Sequence, residues 1–272
     1  MPSEPVLAGL PDDAAHDIDG QISVLTELGW PAIELRTIDK VAIADITDEQ
    51  FSSVSAALSE SGLRVICFAS RIGGWTRPIT SAFRDDLDEL EVLAKRARLL
   101  GTRYVRIRSY PNDGLAEYSW RAHAIARVGA LADRAERHGV TLLHENSVGW
   151  AGTKAERMLD LLDEVGSPAL KLLFDTGNGV VHGYDGYDLL TDIVGHVEHV
   201  HVKDADPNGY TVPGEGAARL MECVELLKAN GYDGAWSLEP RLAVAPHEGG
   251  GPTEDAVARF LTAGKAMTGL FR

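Results

Sequence analysis

The feature that most constrains this chain is a strict alternation. Short apolar runs, rich in Val, Ile, Leu and Phe, are separated by longer segments of helical period. The runs fall at 6–9, 32–36, 63–69, 103–108, 140–145, 169–175, 197–202 and 235–239. Runs without period-two polarity are how strands buried on both faces read, and such strands belong to parallel sheets. Between them, Phe51, Val54 and Leu58 form one stripe after Thr47, whose partner Gln50 completes a capping-box pattern. Phe83, Leu87, Leu90, Ala94 and Ala97 form another stripe. Thr153 and Glu156 set a second capping box ahead of Met158, Leu161, Leu162 and Val165. Leu220, Val224 and Leu227 repeat the pattern, as do Val257, Phe260 and Leu261, and segments 20–28, 118–138 and 185–194 are compatible with it. Gly29, Gly62, Gly101, Gly139 and Gly231 stand just past helix ends, where a left-handed residue turns the chain into the next strand.

Eight strand–helix units in right-handed crossovers close into a barrel or open into a doubly wound sheet. The length, 272 residues, matches one barrel, and the first strand carries no GxGxxG fingerprint. The expectation is a single (β/α)8 barrel domain over residues 1–272, with no linker or composition break.

The formal net charge of −15 narrows the partners. A surface that negative repels phosphate backbones and anionic lipids, which argues against nucleic acid. No apolar run approaches the roughly 20 residues needed to cross a bilayer. The opening MPSEPVLAGL lacks the basic flank and apolar core of a secretory leader. Cys67 and Cys223 lie far apart and outside any CxxC pair, so a reducing, cytoplasmic setting is expected.

Chemistry in such a barrel sits at the carboxyl ends of the strands. There, strands five to eight finish on Glu145, Asp175, His201 and Glu239, each about one repeat from the next. The four side chains would converge on one rim. Three carboxylates sharing a small dry site repel one another, and a divalent cation removes that conflict. Three oxygen donors plus an imidazole suit Mn²⁺, Mg²⁺ or Co²⁺ better than the thiolate-rich sites of structural zinc. Taken singly, each residue has a plainer reading: a strand-end glutamate is often a cap or salt-bridge partner, and His201 alone reads as a core histidine. The joint spacing carries the metal site.

Further residues sit near the same rim. Lys203 lies two positions beyond His201 and so shares its inward face; it suits a substrate contact or a proton shuttle, or else an ion pair with Asp204 or Glu215. Glu34 and Arg36 end strand two and suit a mutual salt bridge, with Glu34 also able to orient substrate. Arg108 and Arg241 suit either an anionic substrate group or the metal carboxylates. The loop SRIGGWTRP (70–78) suits a lid laying Trp75 over a sugar's apolar face, or a subunit contact.

HEN (144–146), FDTGN (174–178), HVHVKD (199–204), PGEG (213–216) and SLEP (237–240) resemble the xylose isomerase-like barrel superfamily. Within it they resemble the branch of sugar phosphate isomerases/epimerases and tagatose/psicose 3-epimerases. The likeness runs from GWPAIELR to GYDGAWSLEP, nearly the whole chain. It implies Glu145, Asp175, His201 and Glu239 as ligands of a divalent metal, Mn²⁺ first, with Mg²⁺, Co²⁺ or Zn²⁺ as alternatives. It implies Glu145 and Glu239 as an acid/base pair; Lys203 joins the catalytic candidates on its own inward position beside His201. The implied reaction is proton abstraction next to a carbonyl, through an enediolate, on a sugar, keto-sugar or polyol derivative. Where those 3-epimerases carry a substrate-contacting histidine three residues after the metal aspartate, this chain has Asn178, with His182 the next histidine. It also has HVHVKD in place of HxHxGE. Glu34, Trp75, Arg108, Asn178, His182 and Arg241 make up the expected substrate contacts.

The same superfamily includes lyases (inosose and dehydroshikimate dehydratases, and deglycosidases of 3-oxo C-glycosides), which begin with the same C–H. An abasic-site endonuclease and a non-catalytic sugar-binding subunit are the more remote readings. A homo-oligomer is what the resemblance implies, with a second subunit type left open.

Overall fold

The computed structural model describes residues 4–242 and 255–271; residues 1–3, which open the stretch read above for a leader, lie outside them. Eight strands make one parallel sheet: β1 Val6–Gly9, β2 Ala32–Leu35, β3 Arg64–Ala69, β4 Tyr104–Ser109, β5 Thr141–Gly149, β6 Leu170–Asp175, β7 Val197–Val202 and β8 Ala235–Leu238. Their lateral order is β1-β8-β7-β6-β5-β4-β3-β2, so sequence neighbours are neighbours in space all the way round. β1 and β2 lie against each other at the seam. That order excludes the doubly wound sheet, in which the strand order reverses. The expected barrel forms.

Among the described residues the barrel is covered by the helices α1 Ile18–Glu27, α2 Asp48–Ser61, α3 Phe83–Leu100, α4 Glu117–His138, α5 Ala155–Val165, α6 Gly186–Ile193, α7 Leu220–Ala229 and α8 Ala256–Gly269, with a short helical turn at Asn178–His182 at the rim. The stripes read from the sequence are largely buried: Phe51, Val54 and Leu58 on α2, Leu90, Ala94 and Ala97 on α3, and Phe260 on α8 lie in the layer between helices and strands, while Val257 on α8 is exposed. Among the described residues no helix is long and apolar enough to cross a membrane.

Local signals decide where the helices begin and end. The Thr47 capping box is present, with Thr47 Oγ1 accepting from Gln50 N (3.1 Å) and Gln50 Oε1 accepting from Thr47 N (2.9 Å). Gly62, Gly101 and Gly139 are left-handed caps; Gly29 and Gly231 are left-handed one residue past the caps Leu28 and Asn230. The Thr153–Glu156 box is not formed. The carbonyl of Lys154 takes up the amide of Met158 (3.1 Å), so α5 starts one residue later, its N-cap is Lys154, and no side chain caps it. Glu156 then sits in the first turn, where its charge complements the helix dipole.

Strand β5 also differs from the reading, running to Gly149 rather than stopping at 145. After a register shift beyond Ile107, Ser109 pairs with Gly149. Gly149 has φ +105°, and a Cβ there would stand 2.5 Å from the carbonyl carbon of Ser109, so only glycine fits this approach.

Two-residue alternation then stocks the barrel interior. A small apolar plug, Cys67, Leu143 and Leu173, fills part of it. Above that plug, the inward positions on or just past the strands are the polar ones: Glu34, Arg106, Arg108, Glu145, Asp175, His199, His201, Lys203, Ser237 and Glu239. All but Arg108 are buried by whole-residue exposure, and the Arg108 side chain is itself only 14% exposed.

Candidate metal centre

Glu145, Asp175, His201 and Glu239 each bring one donor atom into a cluster whose members all lie within 4.8 Å of one another. His201 Nδ1 is at its centre, 3.9 Å from Glu145 Oε1, 4.0 Å from Asp175 Oδ2 and 3.5 Å from Glu239 Oε2. Strand register explains the convergence, since Asp175 is paired with His201 across β6 and β7, and Ser237, two residues before Glu239, is paired with His201 across β7 and β8.

The remaining atoms of these residues are spoken for. Glu145 Oε2 receives Arg108 Nη2 (2.7 Å) and Arg106 Nη1 (3.2 Å), and Glu239 Oε1 receives Arg36 Nη1 (2.7 Å). Asp175 Oδ1 accepts the amides of Gly177 and Asn178, both at 2.9 Å. His201 Nε2 meets Glu34 Oε1 and Oε2 at 3.1 and 3.0 Å. Each carboxylate is thus left with one inward oxygen, and the imidazole with one inward nitrogen.

Asp175 Oδ2, His201 Nδ1 and Glu239 Oε2 are buried and make no hydrogen bond. Lys203 Nζ does stand 2.8 Å from Asp175 Oδ2 and 2.7 Å from Glu239 Oε2, but the alignment is not that of a hydrogen bond; its aligned contact is Asn178 Oδ1 at 3.3 Å. Buried ligand atoms that face one another, His201 Nδ1 without a hydrogen bond and the two carboxylate oxygens ion-paired with Lys203, are what a cation site offers. Three oxygens and one nitrogen, without thiolate, fit a hard or borderline divalent ion.

The electrostatics agree. Burial pushes the Asp175 carboxyl up, and Glu145 and Glu239 add to this against the pull of Lys203. Burial acts upward on Glu145 too, but Arg108 and Arg106 overcome it and hold that carboxyl down at about 2. Glu239 is likewise held well below the carboxylate range, with Lys203, His201 and Arg36 outweighing its burial. Burial would lower His201, yet Glu34 and Glu239 raise it to about 10. The cluster therefore pairs its carboxylates with Arg36, Arg106, Arg108, Lys203 and a His201 that favours its protonated form.

Above the cluster opens a cavity of about 540 Å³. Of the expected contacts, Trp75, Arg108, Asn178, His182 and Arg241 line it, together with Lys203 and Glu239. Trp75 is exposed at the mouth, its ring 5.9 Å from that of His182. Asn178 Nδ2 also reaches Glu145 Oε1 (3.2 Å) and the carbonyl of Asn146 (2.9 Å). A larger cavity, about 880 Å³, opens at the opposite, amino-terminal ends of the strands, away from these ligands.

Three expectations need correction. Glu34 neither pairs with Arg36 nor lines the cavity; it lies behind His201, between that ring and His199. Arg36 instead joins Asp12, Asp13 and Glu239. Arg241 turns to Asp13, through its amide (3.0 Å) and Nη1 (3.5 Å), and not to the metal carboxylates. Lys203 pairs with two of the ligands and not with Asp204 or Glu215. The Asp204 carboxylate is saturated elsewhere, accepting the amides of Ala205, Gly214, Gly216 and Ala218 and so pinning the loop that carries PGEG.

Sequence reasoning passed over several members. Arg106 was legible, being two residues before Arg108 on the same inward face. His199 bears the same relation to His201. Asp12 and Asp13, just beyond β1, carried only the signal of acids past a strand end. Tyr210, which lines the cavity from the loop after β7, carried none.

Residues 22–261 match the xylose isomerase-like TIM barrel family, and the chain belongs to it. Within that family it is similar to inosose dehydratase of Clostridium perfringens, 28% identical over 141 residues, covering 44% of this chain and 46% of that protein. The chain thus spans about half the length of that relative. It is 27% identical over 233 residues to L-ribulose-5-phosphate 3-epimerase UlaE of Salmonella heidelberg, covering 80% of each. Among solved structures, the IOLI protein with a bound zinc atom superposes with a TM-score of 0.78 at 15% identity, over 100% of this chain and 98% of that one.

Proposed function

We propose that the protein is a divalent-metal-dependent isomerase or epimerase that removes a proton next to the carbonyl of a sugar, keto-sugar or polyol derivative. The observation that carries this is the convergence of four buried donor atoms within 4.8 Å beneath a cavity of about 540 Å³. Glu145 Oε1, Asp175 Oδ2, His201 Nδ1 and Glu239 Oε2 would hold the ion, with Mn²⁺ the first candidate and Mg²⁺, Co²⁺ or Zn²⁺ the others. When bound, it supplies Lewis acidity, polarising a substrate carbonyl and acidifying the neighbouring C–H.

The chain's own groups divide the remaining work. Arg108 with Arg106, and Arg36, grip the second oxygens of Glu145 and Glu239 and so fix both side chains; the inward oxygen of one carboxylate takes the C–H proton and that of the other returns one. Lys203 holds a proton at Nζ in the cavity floor, placed to donate to an oxygen that gains charge. Gly177 makes room for it, since a Cβ there would come 2.7 Å from Lys203 Cγ. Asn178, His182, Arg241 and Trp75 surround the substrate.

A lyase on the same residues is the second reading. The likeness to a dehydratase supports it, as does Asn178 at the position where 3-epimerases carry histidine. Both readings are tested by stripping the protein with chelator, reloading it with Mn²⁺ and offering ketoses, inososes and 3-oxo-glycosides in D2O. Isomerisation conserves the carbon skeleton and incorporates deuterium; elimination loses mass. Turnover that survives exhaustive chelation, or none with any substrate class, would end the proposal.

A further inference from the structure

Beneath the metal ligands lies a second polar cluster that the proposed function does not use. His199 Nε2 stands 3.1 Å from Glu34 Oε2 and 3.1 Å from Ser237 Oγ. Glu34 meets His201 Nε2 through both of its oxygens. All four residues are buried, at 0–2% exposure. Their placement follows from the strands. His199 precedes His201 by two residues and faces inward with it, the two rings standing nearly perpendicular with centroids 5.4 Å apart. On β2 the register shifts between Ile33 and Glu34, an irregularity of the kind that re-aims a side chain.

The hydrogen-bond chemistry of this cluster has a direction. An ionised carboxylate only accepts, so a hydrogen bond between Glu34 and His201 Nε2 requires the proton on Nε2. With Nε2 committed to Glu34, Nδ1 is the nitrogen that can give up its proton and offer a lone pair to an ion, and it is Nδ1 that faces Glu145, Asp175 and Glu239. We propose that Glu34 is a positioning residue of the metal centre, holding His201 with its proton on Nε2 so that Nδ1 is the ligand, with His199, itself met by Ser237 Oγ, holding Glu34 in turn. The inference rests on the metal site proposed above, and it adds a residue on the far wall of the barrel that touches neither ion nor substrate.

Two measurements test it. Protein with 15N-labelled histidine is loaded with 113Cd²⁺ as a spectroscopic substitute. One histidine is expected to show cadmium coupling at Nδ1 with Nε2 protonated; coupling at Nε2, or cadmium bound without histidine coupling, overturns the proposal. In parallel, Mn²⁺ affinity is measured without substrate for the wild type and Glu34→Gln, by the free-ion signal in electron paramagnetic resonance. A loss of about 10–100-fold is expected, the usual effect of removing a partner behind a ligating histidine. Equal affinity in a folded Glu34→Gln protein overturns the positioning role. If that variant does not fold, the coupling experiment on the wild type still decides. A wild type that binds neither ion defeats the parent metal reading, an outcome distinct from either of these.

Discussion

Replacing Lys203 by methionine isolates the charge balance of the centre. The lysine side chain is 5% exposed, and its ammonium lies 2.8 Å from Asp175 Oδ2 and 2.7 Å from Glu239 Oε2, whose side chains are 0% and 4% exposed. Methionine keeps an unbranched stem that still packs beside Gly177, but removes the positive charge between two buried carboxylates. Removing one partner of a buried ion pair costs about 3–5 kcal/mol. One cation here serves two anions, which argues for the upper end. Asp175 limits the loss, because burial already raises its pKa and a proton can replace the ammonium. The metal-free variant is therefore expected to lose about 3 kcal/mol at pH 8. At about 2–4 °C per kcal/mol for a chain of this size, its melting temperature falls by about 6–12 °C.

The pH dependence has a definite sign. A carboxyl whose folded pKa is raised contributes stability below its unfolded pKa and loses it as pH rises through the folded value. The deficit of Lys203→Met is thus largest at high pH and shrinks towards pH 5. At the proposed site, added Mn²⁺ should supply the missing charge, restore the melting temperature and bind the variant at least as tightly as the wild type. Scanning calorimetry on chelated and Mn²⁺-titrated samples, with titration calorimetry for affinity, makes the comparison. If the chelated variant melts with the wild type, or binds Mn²⁺ more weakly, the charge argument is wrong.

Two further outcomes follow from the same geometry. Gly149→Ala places a methyl 2.5 Å from the Ser109 carbonyl carbon at φ +105°, and should cost about 3 kcal/mol or more in denaturant unfolding; a loss under about 1 kcal/mol would contradict the close approach. Both thiols should resist alkylation at pH 8 in the folded protein, since burial pushes Cys223 up to about 12 and Cys67 well above its usual value. At pH 8 the Cys223 thiolate is then about one part in ten thousand. Rapid labelling of either cysteine without denaturant, followed by mass spectrometry, would count against the burial.

The barrel was legible because parallel strands are largely buried on both faces, and each of the eight therefore left a short run rich in apolar residues without clean polar alternation. The four inward donors were legible because strand ends at repeat spacing leave one place for them to meet. What escaped the sequence is contact across the ring. Arg36 meets Glu239 from 203 residues away, and Glu34 meets His201 from 167 away, and no local pattern records such pairs. Hence Glu34 was matched to its neighbour Arg36, when its partners stand on the opposite wall. Small hairpins escaped as well. Thr37–Ile38 and Val41–Ala42 are joined through Asp39 and Lys40, both left-handed, without the Asn-Gly or Asp-Gly signature of such turns. Thr153 shows the opposite failure, a capping pattern present in sequence and displaced by one residue in the fold.

The carboxylate of Asp204 gathers four amides from a single loop and so works as a rivet. The excursion between 205 and 217 is fastened at its root, while its tip, with Tyr210 facing the cavity, carries no share of that fastening. Residues at the tip are accordingly free to be exchanged without loosening the barrel. A change in which molecules the cavity admits can be sought there first, with Glu145, Asp175, His201 and Glu239 left untouched.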